Sequence, residues 1–313
     1  MFKKYHSSVN DNEAHVMIAN EVFNLQPGII PIKPMPLPEI RRILGSDVKD
    51  LELNINTATI EDIAWDLAAK ARHKKSRRKQ IELAIKALKL DANCSNAWLL
   101  LSEESSNAEE AIALCRNAVK GAEASLGPDF MERFKPDYWH SWPTRFYMNA
   151  LEELATRLAE NDQFEEAIQY YYKLLDMNPL DNGDIRGLIV PCLIQHSRDA
   201  EAVKILCKYR ESTAEILYSH LLIRYRACGD SPKTRKVFKA AFAENPFVVP
   251  FLVGAVKLPK EEPVFYQFGN EEEAVIYVNR GMRSWKASPG AIEWLTSNCA
   301  DIMDQLVEKM SRK

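Results

Sequence analysis

The sequence predicts an all-α protein: a right-handed α-solenoid of helix–turn–helix repeats, with an aromatic-rich insertion and a C-terminal capping helix. Three observations predict it. Apolar residues recur at three- and four-residue spacing along most of the chain. Residues 147–179, YMNALEELATRLAENDQFEEAIQYYYKLLDMNP, read as one complete hairpin of two helices. The hairpin's landmarks then return, because Ala202 follows Ala167 by 35 residues (202 − 167) and Pro179 and Pro246 stand 67 apart (246 − 179).

Bulk properties agree with a globular chain. Its 313 residues allow one large or two ordinary domains, and 46% hydrophobic content is ample for a core. Lys and Arg number 41 against 44 Asp and Glu, a formal charge of −3, so no global field points to nucleic acid or an anionic membrane. The longest strongly apolar run, residues 247–256, contains a proline and is about half of what a bilayer span requires. The N-terminal stretch MFKKYHSSVNDNEAHV lacks the apolar core of a signal peptide. Cys94, Cys115, Cys192, Cys207, Cys228 and Cys299 are scattered without a CxxC pair, as expected of reduced packing thiols. A cytoplasmic location and no membrane span are therefore expected.

Residues 1–57 are expected to form a proline-rich N-terminal arm. Pro27, Pro31, Pro34, Pro36 and Pro38 favour extended, polyproline-like chain lying across the first helices, with one short helix at residues 37–44. A ligand for a proline-reading domain is the sharper alternative. The helical region follows as 58–313, with repeats at about 58–92, 93–120, 147–179, 182–212 and 215–246.

Ile60, Ile63, Ala64, Leu67 and Ala68 make the first stripe, with Thr57 or Thr59 available as its cap. The run KARHKKSRRK, residues 70–79, falls at the turn to the next helix and reads first as a solvated basic turn. In the second repeat Trp98 and Leu101 precede Ala111 and Ala118. The insertion, residues 121–145, carries FMERFKPDYWHSW, whose aromatic density suits closing a core or wedging between layers, or else a groove wall that grips a ligand. His140 is a possible acid–base residue there, but it has no nucleophile or metal ligand at a fixed spacing.

In the 147–179 hairpin, Tyr147, Leu151, Leu154 and Leu158 form one stripe, and Phe164, Ala167, Ile168, Tyr171, Leu174 and Leu175 the other. Asp162 and Glu165 have capping-box spacing. The second helix should stop near Asn178, ahead of Pro179. Residues 182–212 and 215–246 repeat the form, the last helix opening on Ser231-Pro232. Residues 247–313 then make the cap: extended chain, a helix, and a final helix with an apolar seam at Ile292, Leu295, Cys299, Ile302 and Leu306.

A helix–turn–helix repeat of about 34 residues with a closing proline resembles the tetratricopeptide repeat. With Met148 as repeat position one, Ala167, Tyr171, Leu174 and Pro179 fall at positions twenty, twenty-four, twenty-seven and thirty-two. At a finer level the ordered segments KALKLDANCSNAWLLLSEE, TRFYMNALEELATRL, LLDMNPLDNGDIRGLIVPCLI, ENPFVVPFLVG and FGNEEEAVIYV resemble the suppressor-of-tumorigenicity-seven (ST7-like) family. The likeness covers roughly residues 60–297 and is to that family's soluble bacterial members. Phe146 stands where the family's proline is expected, and Asn149 where its arginine is.

The resemblance implies a concave face, lined by the first helix of each pair, that holds an extended peptide. It places Asn149, Glu152 and Thr156 on the first such helix, Asn182 and Arg186 on the next, and Ser219 with Arg226 on the third, and Arg145 also reaches this surface. The Lys/Asn/Arg set that clamps a terminal carboxylate in some chaperone-binding members is incomplete, so chaperone-tail binding is not implied.

Together these readings predict a non-catalytic protein–protein interaction scaffold, not an enzyme, with a protein or peptide partner, no cofactor and no metal. Glycine-rich phosphate loops, metal-ligand clusters and nucleophile elbows are missing from the sequence. The chain is expected to be a monomer, or a homodimer through its C-terminal helix. The alternative is contact with a phosphate-rich ligand, nucleic acid or anionic lipid, through Lys74, Lys75, Arg77, Arg78 and Lys79. Against nucleic acid stands the lack of interleaved aromatic residues for base stacking.

Overall fold

The structure, a computed structural model, describes residues 11–22, 25–28, 35–209 and 212–299. Among them the protein is all-α, with helices packed in sequential pairs and no strand. The chain divides into two compact units, residues 2–182 and 183–313.

The first unit begins with α1 (Asp11–Val22), α2 (Leu37–Leu44) and a 3-10 helix (Gly45–Asp50). Three pairs follow: α3 (Ile60–Arg72) with α4 (Arg77–Leu90), α5 (Ser95–Glu104) with α6 (Ala108–Leu126), and, after the short α7 (Phe130–Arg133), α8 (Trp142–Glu160) with α9 (Phe164–Met177). Helix α4 stacks on α5 and α6 on α8, while the first helices touch in series, α3 on α5 and α5 on α8.

Local sequence explains the starts of these helices. Thr59 accepts from the Asp62 backbone N–H and Asp62 answers the Thr59 N–H, a complete capping box. Ser76 and Asn107 cap α4 and α6 in the same way from one side. Each such cap contributes about 1 kcal/mol. The expected Asp162–Glu165 box does not form. Asp162 takes a left-handed conformation (φ 58°) in the α8–α9 turn, and Gln163 occupies the cap position without a side-chain bond.

Small residues sit where the paired helices approach. Ala84, Ala118 and Ala167 are fully buried, as are the large Trp98 and Tyr147. Trp98 keeps its indole N–H bonded to the Ala92 carbonyl at 2.8 Å. Gly121 lets α6 close on the α4–α5 turn, because a Cβ there would lie 2.7 Å from the Asn93 carbonyl oxygen. Arg116 on α6 grips Glu166 on α9 through both nitrogens, at 2.6 and 2.7 Å.

Two boundaries differ from the sequence reading. Helix α6 runs on to Leu126 and α8 starts at Trp142, so the irregular stretch is 127–141. Helix α1 lies in the N-terminal arm ahead of the proline-rich segment, where the sequence reading placed no helix, burying Ala14, Ile18 and Val22 at four-residue intervals, and it packs on α4. Helix α2 falls where expected. Pro31 and Pro34 lie outside the described residues.

The second unit pairs α10 (Arg186–Gln195) with α11 (Asp199–Lys208) and α12 (Ala214–Cys228) with α13 (Pro232–Glu244). Ser231 caps α13 with Pro232 at its first turn, as the sequence predicts. After α14 (Val248–Leu252), residues 253–270 are non-helical, and α15 (Glu271–Lys286) packs on α10, α12 and α14. Trp285 is fully buried, and Ser284 donates to the Pro191 carbonyl at 2.8 Å. Residues 291–299 form α16, whose Trp294 ring meets Tyr225 at 5.2 Å and Phe238 at 5.6 Å. Leu295 and Cys299 of the expected seam are buried, and Ile302 and Leu306 lie outside the described residues.

Candidate partner-binding surface

In the first unit, an aromatic cluster spans two first helices. Trp65 on α3 meets Phe146 on α8 edge to face at 5.9 Å, and Trp142 meets the same ring at 5.3 Å and 86°. Trp142 is 67% exposed and Trp65 41%. Beside them the Arg145 guanidinium lies 3.8 Å over the Trp139 ring and donates to the Trp139 carbonyl at 3.2 Å. Such stacking on an aromatic face is favourable where the cation is partly shielded from water.

Helical geometry produces this arrangement. Trp142, Arg145, Asn149, Glu152 and Thr156 recur every three or four residues, with Phe146 four after Trp142 and three before Asn149, so they share one stripe of α8. The aromatic insertion divides its labour. Phe130 and Tyr138 are buried, Phe130 edge-on to Tyr147 at 5.0 Å and Tyr138 donating to the Met131 carbonyl at 2.6 Å. Trp142 turns outward instead. His140 is exposed, its Nδ1 2.6 Å from Asp137.

The predicted partner-binding residues fall into two groups. Asn149 is exposed, Glu152 is half-buried, and the Thr156 hydroxyl lies 3.3 Å from the Tyr171 hydroxyl. Asn182 is exposed and donates to Asn178 at 3.3 Å. In the second unit, by contrast, α15 lies against α10 and α12. Ser219 is only 2% exposed and faces the Tyr277 hydroxyl of α15. Arg226 reaches Asp199 at 2.9 Å and donates to the Ile194 carbonyl at 2.9 Å, Ser197 at 3.0 Å and Ser288 at 3.3 Å. Arg186 stacks over Tyr209 at 4.8 Å and lies 3.8 Å from Asp184.

The basic run is knitted into its own unit. Lys70 pairs with Asp66 at 3.0 Å, Arg72 with Glu103 at 2.8 Å, Arg77 with Glu104 at 2.8 Å, and Lys79 with Asp47 at 2.8 Å. Arg78, more exposed, pairs with Glu82 at 3.1 Å. Lys74 is half-buried and Lys75 exposed. The alternation of bases here with acids on neighbouring elements is spread across the chain, so the run taken alone overstated the free positive charge.

A second feature escaped the sequence reading. At the start of α10 a small cleft gathers Asp184, Arg186, Glu215, Tyr266 and Arg280 around Gly187. Arg280 binds Asp184 at 2.6 Å. A Cβ on Gly187 would lie 2.3 Å from Arg280 Nη1, 2.8 Å from Glu215 Oε2 and 3.2 Å from Asp184 Oδ2, so only glycine leaves room for the three to converge. Burial, and then the neighbouring Asp184 charge, push the Glu215 carboxyl well above its ordinary range. Glu215 and Arg280 lie 31 and 96 positions from Asp184 (215 − 184 and 280 − 184), with no spacing signal to connect them.

Fold and surface together define an all-α protein of sequentially paired helices, with no helix among the described residues long and apolar enough to cross a membrane. No protein-family model matches the sequence, and no curated protein matches it.

Proposed function

We propose that the chain is a tetratricopeptide-like α-solenoid that acts as a non-catalytic, cytoplasmic scaffold, holding a protein or peptide partner on the face lined by α3, α5 and α8. The carrying observation is the exposed Trp65–Phe146–Trp142 cluster beside Arg145 and Asn149. Tryptophan and arginine are enriched among the residues that dominate binding energy at protein interfaces, tryptophan because it buries large area with little loss of conformational freedom.

Two further observations support the repeat. First helices that touch in series, each backed by a second helix, are the contacts a stacked array makes. The α8–α9 and α10–α11 turns also share one form 35 residues apart (197 − 162). Asp162 and Ser197 both have φ 58°, and Gln163 and Arg198 donate to Leu158 and Leu193 at 2.8 Å. The suppressor-of-tumorigenicity-seven likeness remains part of this proposal and rests on the sequence segments alone.

The test is affinity purification of the intact chain and of a Trp65→Ala/Trp142→Ala variant from the same lysate, with quantitative mass spectrometry. Proteins enriched by the native chain and lost at least tenfold with the variant, at unchanged Tm, support the reading. Equal recovery by both chains, or turnover of a small molecule by the purified protein, overturns it.

A further inference from the structure

The charged cleft of the second unit has a donor–acceptor imbalance that points to a ligand, independently of the aromatic face on α3 and α8. Glu215 lines the cleft, and its Oε1 is shielded from solvent without a hydrogen-bond partner. Its other oxygen faces Asp184 over Gly187. With the Glu215 proton on the oxygen that faces Asp184, Oε1 is left as a plain acceptor. An acceptor shielded from solvent and left unmatched is destabilising until a donor reaches it.

Arg280 supplies the complementary edge. Its Nη1 is engaged by Asp184, while Nε and Nη2 have no hydrogen-bond partner among the described residues. Tyr266 forms one wall of the cleft and follows directly on Val264 and Phe265, the most exposed large apolar side chains among the described residues at 82% and 87%.

We propose that this cleft receives a carboxamide group presented by a peptide partner, its N–H donated to Glu215 Oε1 and its carbonyl accepting from Arg280. The choice follows from charge. A carboxylate has no donor for Oε1 and meets Asp184. An ammonium has no acceptor for Arg280 and is repelled by Arg186 and Arg280. A primary carboxamide offers a donor and an acceptor on one flat edge without charge, whereas the N–H and C=O of a trans secondary amide point in opposite directions. The cleft has room for a few water molecules, so it takes the tip of a larger molecule whose apolar flank would rest on Val264 and Phe265.

Titration of the full chain by NMR tests this, following the Gly187 and Tyr266 amides and the Arg280 Nε–H. Propionamide represents the primary carboxamide of a side chain. N-methylacetamide, propionate, propylammonium and propanol are the competing chemistries. Saturable shifts with propionamide, at least tenfold tighter than with the other four, support the proposal. Glu215→Gln should keep that binding, since glutamine preserves both the bond to Asp184 and the Oε1 acceptor. Equal or tighter binding of N-methylacetamide, propionate, propylammonium or propanol, or no saturable shift with any probe, overturns it.

Discussion

Trp65 and Phe146, from the first and third helical pairs of the 2–182 unit, meet edge to face with ring centroids 5.9 Å apart. Two helices remote in sequence thereby present one aromatic surface, and Trp142 extends it on the solvent side.

Exposed tryptophans should differ sharply from buried ones in what they contribute to folding. Trp142→Ala is expected to change unfolding free energy by less than about 0.5 kcal/mol. Trp98→Ala removes a fully buried ring and its N–H bond to Ala92, and is expected to cost about 3–5 kcal/mol. Urea unfolding of both variants checks the contrast. A Trp142→Ala cost comparable to Trp98→Ala would make the cluster a fold element and remove it as a binding surface.

The basic run should act on stability before it acts on ligands. Arg77 donates to both the Glu104 carboxylate and its carbonyl, at 2.8 and 2.6 Å, with both side chains largely shielded. Arg77→Gln is expected to cost about 1–2 kcal/mol, because a partly buried carboxylate loses its partner. Arg78 is more than half exposed, and Arg78→Gln should be nearly silent. Salt-dependent nucleic-acid or vesicle binding that disappears in Arg78→Gln and Lys79→Gln would instead revive the phosphate reading.

Gly121 offers a test of sign. By helix propensity alone, Gly121→Ala in the middle of α6 should stabilise by about 1 kcal/mol. The Cβ would meet backbone, the Asn93 carbonyl oxygen at 2.7 Å, which cannot swing aside as a side chain could. The expected result is a net loss of about 1–3 kcal/mol, read as a fall in Tm. A rise in Tm would show that the α4–α5 turn yields.

Asp91 is expected to make the stability of the first unit depend on pH. Burial pushes its carboxyl up to about 6, opposed by the Asn93 N–H and reinforced by Glu61. A raised folded pKa means that the contribution is full below about 4 and is lost as pH rises through about 6. Asp91→Asn keeps an acceptor for Asn93 and removes the titration. Its stability relative to the native chain should therefore grow between pH 4 and pH 7, by up to about 3 kcal/mol for a shift of this size. A difference that stays constant over that range would exclude Asp91 as the group responsible.

Helix periodicity was legible because a helix must bury one stripe wherever it packs. Ile63, Leu67, Leu151, Leu158 and Ala167 could thus be assigned to the core before any partner was known, and each is buried. Caps and stops set by neighbours in the chain, such as Thr59, Ser231 and Asn178, were legible for the same reason. Asp162 was misread because its residue type suits a cap and a left-handed turn alike, and the required reversal of the chain decided between them. The stripe of α1 is present in Ala14, Ile18 and Val22, upstream of the prolines that favour extended chain.

The sequence by itself determined that this is a protein of paired helices, because periodicity, caps and breakers act over a few residues. Tertiary structure alone decided which polar side chains are occupied and which are open. Ser219 and Asn149 look equally available in the sequence, yet α15 buries the first and solvent meets the second. It also brought Asp184, Glu215 and Arg280 around Gly187. Packing of distant helices sets those contacts, and no local spacing encodes it.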